Sequence, residues 1–152
     1  MKLSDELMRG NWLYYRGKFN AFPFQVEQVT RKKVGYHAEP GEKRIYYLRL
    51  NEEVKPILLT AELLEKNGFK RGIDRGWGND IREVYCLTFD VDVTYQGRTE
   101  TFTHEIEVQH KVSSGLWDVE TTNGSRIFNL EYLHQLQNAL RICDIKREII
   151  AF

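Results

Sequence analysis

A strict alternation of apolar and polar residues over 85–95 constrains this fold more than any other feature of the chain. A second alternation occupies 101–108, and such period-two patterns are typical of half-buried strands. A turn at Gln96-Gly97 joins them into an antiparallel hairpin in which the numbers of facing residues add up to 193. This register places apolar residues or His104 opposite one another, whereas a slip by one residue would turn one strand over. The expected pairs are Val91–Phe102, Phe89–His104, Leu87–Ile106 and Tyr85–Val108.

A second hairpin follows around Asn123-Gly124, a strong two-residue turn signal. Its expected register pairs Val119 with Phe128 and Trp117 with Leu130, which completes a four-stranded meander. From 129 or 130 to about Cys143, apolar residues recur at helical spacing. We expect this C-terminal helix to cover the apolar face of the meander.

The first 59 residues carry short β-rich runs separated by turns with glycine and proline. Roughly five strands in so short a segment predict a small SH3-like β-barrel. Residues 60–69 then predict a short helix, with Thr60 as its N-cap and Gly68 as its left-handed end. The predicted protein is α+β, with three segments: the barrel (1–59), a linking helix with a Gly/Trp loop (60–80), and the meander with its helix (81–152).

Composition excludes several classes of protein. The 152 residues are 41% hydrophobic and 12% aromatic, which is too apolar for a disordered chain, yet no run reaches the length of a membrane span. The 22 basic and 22 acidic residues cancel, which argues against a wholly basic nucleic-acid binder. The cancellation hides a polarity, because residues 1–75 carry a net charge of +5 and residues 76–152 one of −5.

The two cysteines, Cys86 and Cys143, show no metal-binding spacing, and the N-terminal residues are too polar for a secretory signal. We therefore expect free thiols, a cytoplasmic location and no membrane partner.

Catalytic, cofactor and metal sites are not predicted. His104 and His110 share a strand face but are separated by roughly 20 Å of extended chain. Asp90 and Glu105 are diagonal neighbours on the polar face of the first hairpin, at a spacing that paired hydrolase carboxylates use. That face is expected to be open to solvent, so a carboxylate-dependent hydrolase is the least favoured alternative.

Basic and aromatic residues alternate in the predicted barrel, and such a surface could hold phosphates and stack bases. Ordinary solvated turns and tyrosines that pack the barrel are the competing interpretation. The candidate nucleic-acid-binding residues are Tyr14, Tyr15, Arg31, Lys32, Lys33, Lys43 and Arg44.

Two further groups are candidates for binding a partner protein. Trp77 lies between two glycines and is either a binding residue or an anchor that covers the edge of the core. The C-terminal helix places a polar stripe on what is expected to be its exposed face, where it would bind a partner or cap carbonyls of its own fold. The stripe consists of His134, Gln137, Asn138 and Arg141.

Three motifs in chain order carry a resemblance. They are Arg9-Gly10-Asn11-Trp12, the stretch PILLTAELLEKNGF over 56–69, and LHQLQNAL over 133–140. Together they resemble a family of small uncharacterised proteins of gut bacteria, their phages and their mobile elements. The chain departs from the family pattern after Leu140, where Arg141-Ile142-Cys143-Asp144 stands. The resemblance implies a genetic setting and no mechanism.

A non-enzymatic interaction or adaptor protein is the favoured function, with a protein as its main partner. A nucleic-acid-binding module is the principal alternative. Self-association is also left open, because the oppositely charged halves could meet within one chain or between copies.

Overall fold

The computed structural model describes residues 2–152 and divides them into two units. Unit 1 consists of the residues up to Leu58 together with Tyr132–Phe152, and unit 2 is Leu59–Glu131. Both units combine antiparallel sheets with short helices, so the α+β prediction is confirmed.

Unit 1 contains a five-stranded sheet with the order β4-β3-β2-β1-β5. Its elements are α1 (Leu3–Glu6), β1 (Trp12–Arg16), β2 (Ala21–Val29), β3 (Lys33–Tyr36), β4 (Tyr46–Arg49), β5 (Val54–Pro56) and α3 (Leu133–Ile142). Five strands were expected here, but β4 and β5 remain edge strands, and no closed barrel forms among residues 2–152.

The inner face of this sheet forms the core of unit 1. Alternate residues of successive strands are buried there, as the period of two requires. Leu7, Leu13, Phe24, Val26, Val34 and Val54 make up the buried cluster, and Tyr15, Phe22 and Tyr36 pack against it.

Unit 2 contains a second five-stranded sheet, with the order β10-β9-β8-β7-β6. Its elements are α2 (Ala61–Lys66), β6 (Lys70–Arg71), β7 (Arg82–Tyr95), β8 (Arg98–Lys111), β9 (Trp117–Thr121) and β10 (Arg126–Leu130). The hairpin of β7 and β8 has the predicted register over its whole length, including Val91–Phe102 and Phe89–His104. Gln96 and Gly97 both adopt positive φ, as a two-residue hairpin turn demands.

The second hairpin differs from its expected register. Trp117 does face Leu130, but Val119 faces Ile127 and not Phe128. An irregularity between Ile127 and Leu130 separates the two pairings. The amide of Thr121 donates to the carbonyl of Ser125, which gives a three-residue loop with only Gly124 in the left-handed region.

Helix α2 begins and ends as its sequence predicts. The Thr60 hydroxyl accepts a hydrogen bond from the Leu63 amide at 3.2 Å. Gly68 has a φ of 87°, and the Phe69 amide donates to the Leu64 carbonyl, which closes the last turn.

Helix α3 lies in unit 1, so its expected packing on the meander is wrong. Its polar residues bond to the N-terminal segment: Gln137 accepts from the Trp12 amide at 3.0 Å, and Asn138 donates to the Glu6 carbonyl at 2.7 Å. The helical spacing correctly predicts its apolar stripe, since Leu133, Leu136, Ala139 and Leu140 are all buried.

Within the described residues, every helix is too short and too polar to cross a bilayer.

Candidate partner-binding surface

The loop of residues 72–82, here called the Trp77 loop, leads from β6 into β7. Arg75 and Arg82 exchange backbone hydrogen bonds of 3.0 and 2.8 Å, so the loop is itself a small hairpin. Gly76 has a φ of 80°, and a Cβ at this position would collide with the Asp80 carbonyl, so only glycine fits. The turn that presents Trp77 therefore has a defined backbone.

A buried carboxylate holds one side of the Trp77 loop. The Arg75 guanidinium contacts both oxygens of Glu107, with Nη1–Oε1 at 2.6 Å and Nη2–Oε2 at 2.9 Å. The Glu107 side chain is only 8% exposed and also accepts from Gln109 Nε2. A bidentate ion pair with a buried carboxylate fixes the orientation of the Arg75 guanidinium as well as its distance from Glu107.

A second buried carboxylate holds the other side. Arg82 Nη1 donates to Asp118 Oδ2 at 2.8 Å, and the Asp118 side chain is 1% exposed. The Asn129 amide and the Lys111 ammonium satisfy the other oxygen of Asp118, at 3.0 and 3.4 Å. Both ends of the loop are thus tied to the polar face of the sheet.

The Trp77 loop nevertheless exposes its three large apolar side chains, of which Ile81 is 40% exposed. Trp77 and Ile73 are each 89% exposed. The interpretation of Trp77 as an anchor of the core edge is therefore wrong, and the indole faces solvent.

A third cluster joins β6, β7 and β8 on the apolar face of the sheet. Glu83 accepts from His110 Nδ1 at 3.2 Å and from Arg71 Nη1 at 2.8 Å. These two hydrogen bonds, with the charge of Arg71, hold the pKa of Glu83 below its usual range. The His110 ring packs on Trp117 with centroids 4.5 Å apart.

The polar stripe of α3 is engaged inside unit 1 and is not the exposed face that its spacing suggested. His134 is fully buried with its Nε2 at 3.1 Å from a Glu6 oxygen, and Gln137 is 6% exposed. Gln137 Nε2 donates to the carbonyls of Gly10 and Ile149. Of the four residues only Arg141 is exposed, at the border of a cleft that residues 144–149 also line. The stripe mainly satisfies backbone groups, one of the two roles that its sequence allows.

The basic candidates of unit 1 separate into two groups. Arg31, Lys32 and Lys33 are exposed in and beside the β2–β3 turn, and Lys43 and Arg44 lie in the loop before β4. The Arg44 guanidinium lies over the Tyr46 ring at 4.8 Å.

The tyrosine candidates do not join these basic groups. Tyr15 packs into the core against Phe22, with ring centroids 5.2 Å apart. Tyr14 pairs with Pro23. Arg31 lies eight positions after Pro23, and eight residues of extended strand span roughly 26 Å.

One aromatic residue beside the basic turn is missing from the predicted set. Lys33 of β3 faces Arg49 of β4 directly. Tyr47, which is 51% exposed, lies two residues before Arg49 on the same face of β4. The alternation of Tyr47 and Arg49 along β4 is the sequence signal for this group.

One cluster in the described part of the chain has the composition of a metal site. Ligand atoms of Cys86, Glu105 and Glu107 lie within 4.8 Å of one another. Glu107 already has its partners in Arg75 and Gln109. Burial, with the charges of Glu105 and Glu107, raises the pKa of the Cys86 thiol, which keeps it protonated. These contacts account for the cluster without a metal.

The paired carboxylates considered for hydrolysis are exposed. Asp90 accepts a hydrogen bond from the Thr103 hydroxyl at 2.8 Å, and Glu105 lies one step further along β8. Neither side chain has the enclosed surroundings that a general acid requires.

Comparison with known proteins adds no relative, since neither a family model, nor a curated protein, nor a solved structure matches this chain.

Proposed function

We propose that this protein is a non-enzymatic interaction or adaptor protein that binds a partner protein through the Trp77 loop. The observation that carries the proposal is the 89% exposure of Trp77 on a loop whose two sides are held by buried carboxylates. Tryptophan is enriched among the residues that dominate binding energy in protein interfaces. A fixed loop also loses little conformational freedom when it binds.

Affinity capture from an extract of the source cells tests this proposal. The immobilised wild-type chain is compared with Trp77→Ala and with Phe19→Ala. Phe19 is 91% exposed in unit 1 and serves as a matched control for loss of an exposed aromatic ring. We expect the Trp77→Ala variant to lose the captured protein, with affinity reduced at least tenfold, and Phe19→Ala to keep it. Equal capture by all three chains would contradict the proposal.

A phage or mobile-element origin and a cytoplasmic location are part of the same proposal. The order of the three motifs over 9–12, 56–69 and 133–140 supports the origin, and the free thiols of Cys86 and Cys143 support the location. Sequencing of the neighbouring genes tests the origin, and integrase, capsid or conjugation genes are the expected neighbours.

Nucleic-acid binding by unit 1 is a second candidate function, favoured by the pair Lys33–Arg49. Like charges directly across a sheet repel each other, so an anion bound between them would relieve a cost that the free protein carries. Tyr47 on the same face could stack a base. A small sheet of five strands, SH3-like in its size, would present this face as a binding surface.

A mobility-shift assay with single-stranded and duplex oligonucleotides at low salt tests the second candidate. We expect binding that weakens steeply as salt is added and that the double variant Lys33→Glu/Arg49→Glu abolishes. Lys66→Glu, which removes an exposed basic residue of α2 in unit 2, should bind like the wild type. If no shift occurs at low salt, this candidate is eliminated.

A further inference from the structure

The far part of the β7–β8 hairpin, residues 87–104, is here called the arm. Strand β6 pairs with β7 at Tyr85 and Cys86, and β9 pairs with β8 over 106–110. Within residues 2–152, the two strands of the arm therefore pair only with each other. An isolated two-stranded ribbon is marginally stable in water unless one of its faces is covered.

The polar face of the arm is complete in itself. Cross-strand hydrogen bonds link the Thr103 hydroxyl to Asp90 at 2.8 Å and the Thr101 hydroxyl to Asp92 at 2.6 Å. The hydroxyls of Thr94 and Thr99 are 3.0 Å apart. Because these polar groups bond to one another across the two strands, this face can remain in contact with water without a further partner.

The opposite face of the arm is apolar and uncovered. Val93, Phe102 and Tyr95 are 46%, 48% and 71% exposed. Near the base of the arm, the Phe89 and His104 rings stack with centroids 5.8 Å apart. A contiguous apolar stripe of this kind on a ribbon marks an interaction surface.

The charges on this face favour a second copy of the chain as its partner. Along β8 the residues pointing to the apolar face are Arg98, Glu100, Phe102 and His104, and the acid and the imidazole lie symmetrically about Phe102. Let a two-fold axis lie in the plane between two facing arms and cross their strands at the Val91–Phe102 pair. This axis brings Glu100 of one chain to His104 of a second copy, and the reverse contact forms at the same time. On β7 the same axis places Phe89 against Val93. Arg98 lies one step further toward the tip, outside these contacts.

We propose that the apolar face of the arm is a homodimer interface in which two arms pack face to face about the Val91–Phe102 pair. The imidazole N–H of His104 donates to the Glu100 carboxylate of the second copy, and Phe102 packs on its counterpart. The proposal is independent of the Trp77 loop and its partner. Eight residues of strand span roughly 26 Å. The area of such a ribbon face is at the small end of specific interfaces, so the dimer is weak.

Exchange of the two charges tests this geometry. The variant Glu100→Lys places a cation opposite His104, and the variant His104→Glu places an acid opposite Glu100, so each homodimer is weakened. In a mixture, one contact of the heterodimer joins the introduced cation to the introduced acid, and the other is the wild-type contact between His104 and Glu100. We expect wild type to show a dimer in sedimentation equilibrium at about 100 μM, each variant alone to be at least tenfold weaker, and the equimolar mixture to recover the dimer.

The control Asp92→Lys changes a charge on the polar face of the same arm and should dimerise like the wild type. All altered positions are exposed or at the rim of the sheet, and circular dichroism verifies that each variant is folded. A wild type that is monomeric at every concentration would overturn the proposal, as would a mixture that stays monomeric. Dimers unaffected by either charge change would show that copies meet through another surface, which also overturns it. None of these outcomes affects the capture experiment on Trp77.

Discussion

The His134 side chain shows how one buried group can make stability depend on pH. Its Nε2 lies 3.1 Å from a Glu6 carboxylate oxygen, which can only accept, so Nε2 carries the proton of the neutral ring. Its Nδ1 is buried and has no hydrogen-bond partner among the described residues. Protonation of the ring would place a second N–H at Nδ1, in these buried surroundings. Burial therefore lowers the pKa of His134 below 6.5, and this effect outweighs that of Glu6, which raises it.

We predict that the free energy of unfolding falls as the pH is lowered from about 7.5 to 5.5. The unfolded chain binds a proton at His134 with a pKa near 6.5, whereas the folded chain resists it. The contribution of neutral His134 to the free energy of unfolding is therefore complete above pH 6.5 and is lost as the pH falls toward the lower pKa of the folded chain. The slope is at most about 1.4 kcal/mol per pH unit. Urea unfolding across this range measures it.

The variant His134→Gln keeps a donor to Glu6 and removes the titration, so its slope over this range should be smaller. Identical slopes for wild type and His134→Gln would contradict the prediction.

Single residues also show how far sequence reasoning reaches. His104 opposite Phe89 was predictable, because alternation and one turn fix the pairing of both strands. The burial of His134 and Gln137 was not. Helical spacing separates a polar face from an apolar one, but it does not reveal that backbone groups of Gly10 and Trp12 lie against the polar one.

At the scale of elements, the Trp77 loop depends on the pair Arg75–Glu107. We predict that Arg75→Gln leaves the Glu107 carboxylate shielded without its cation and loosens the loop. The amides of Arg75 and Arg82 should then exchange hydrogen faster, and the protein should lose about 1–2 kcal/mol, a reduced value because the Arg75 side chain is 57% exposed. Hydrogen exchange by NMR and urea unfolding measure the two effects.

The control for this prediction is Arg126→Gln, which removes an exposed arginine that lies over the Phe128 ring and has no buried acid to neutralise. In this variant the amides of Arg75 and Arg82 should exchange hydrogen as fast as in the wild type. Unchanged exchange in Arg75→Gln would show that the backbone bonds between Arg75 and Arg82 hold the loop without the ion pair.

The two hairpins of unit 2 differ in how much of their geometry the sequence determines. Both strands are fourteen residues long, and the alternation over 85–95 and 101–108 leaves β7 and β8 a single register. The strands of the second hairpin have only five residues, and Asn-Gly fits loops of two or three residues. Asn123 accepts from the Ser125 amide at 3.0 Å, which selects the longer loop. Asn129, with a φ of 62°, lies within the irregularity that restores the Trp117–Leu130 pair.

At the scale of the whole molecule, the charge polarity of the sequence follows the two units. Unit 1 carries 14 basic and 9 acidic residues, and unit 2 carries 8 and 13, so their net charges are +5 and −5. The sequence predicts this polarity, because most of unit 1 lies in the basic half. It does not predict that the last 21 residues return to unit 1, since the apolar stripe of α3 is compatible with either sheet.

Unit 2 is inserted into unit 1 at two neighbouring points. Leu58 and Tyr132 form an antiparallel bridge, and the Leu133 amide donates to the Ile57 carbonyl at 2.8 Å. We predict that a chain in which a short Gly/Ser turn replaces 59–131 folds as unit 1, because the turn closes a junction that is already paired. Cooperative thermal unfolding and dispersed amide NMR signals are the expected result.

The control is a chain that ends at Leu58 and so lacks α3, which should show neither cooperative unfolding nor dispersed signals. If the joined chain is also disordered, the fold of unit 1 depends on the inserted residues, and the prediction fails.

The hydrogen bonds from α3 to the N-terminal segment set an order of events during synthesis. Asn11 and Trp12 are translated before unit 2, but their partners Asn138 and Gln137 are translated after it. All of unit 2 has been translated before that helix exists, so the second sheet can form while unit 1 still lacks α3. A chain released before α3 has been translated would therefore carry all the residues of unit 2 attached to a unit 1 that lacks α3.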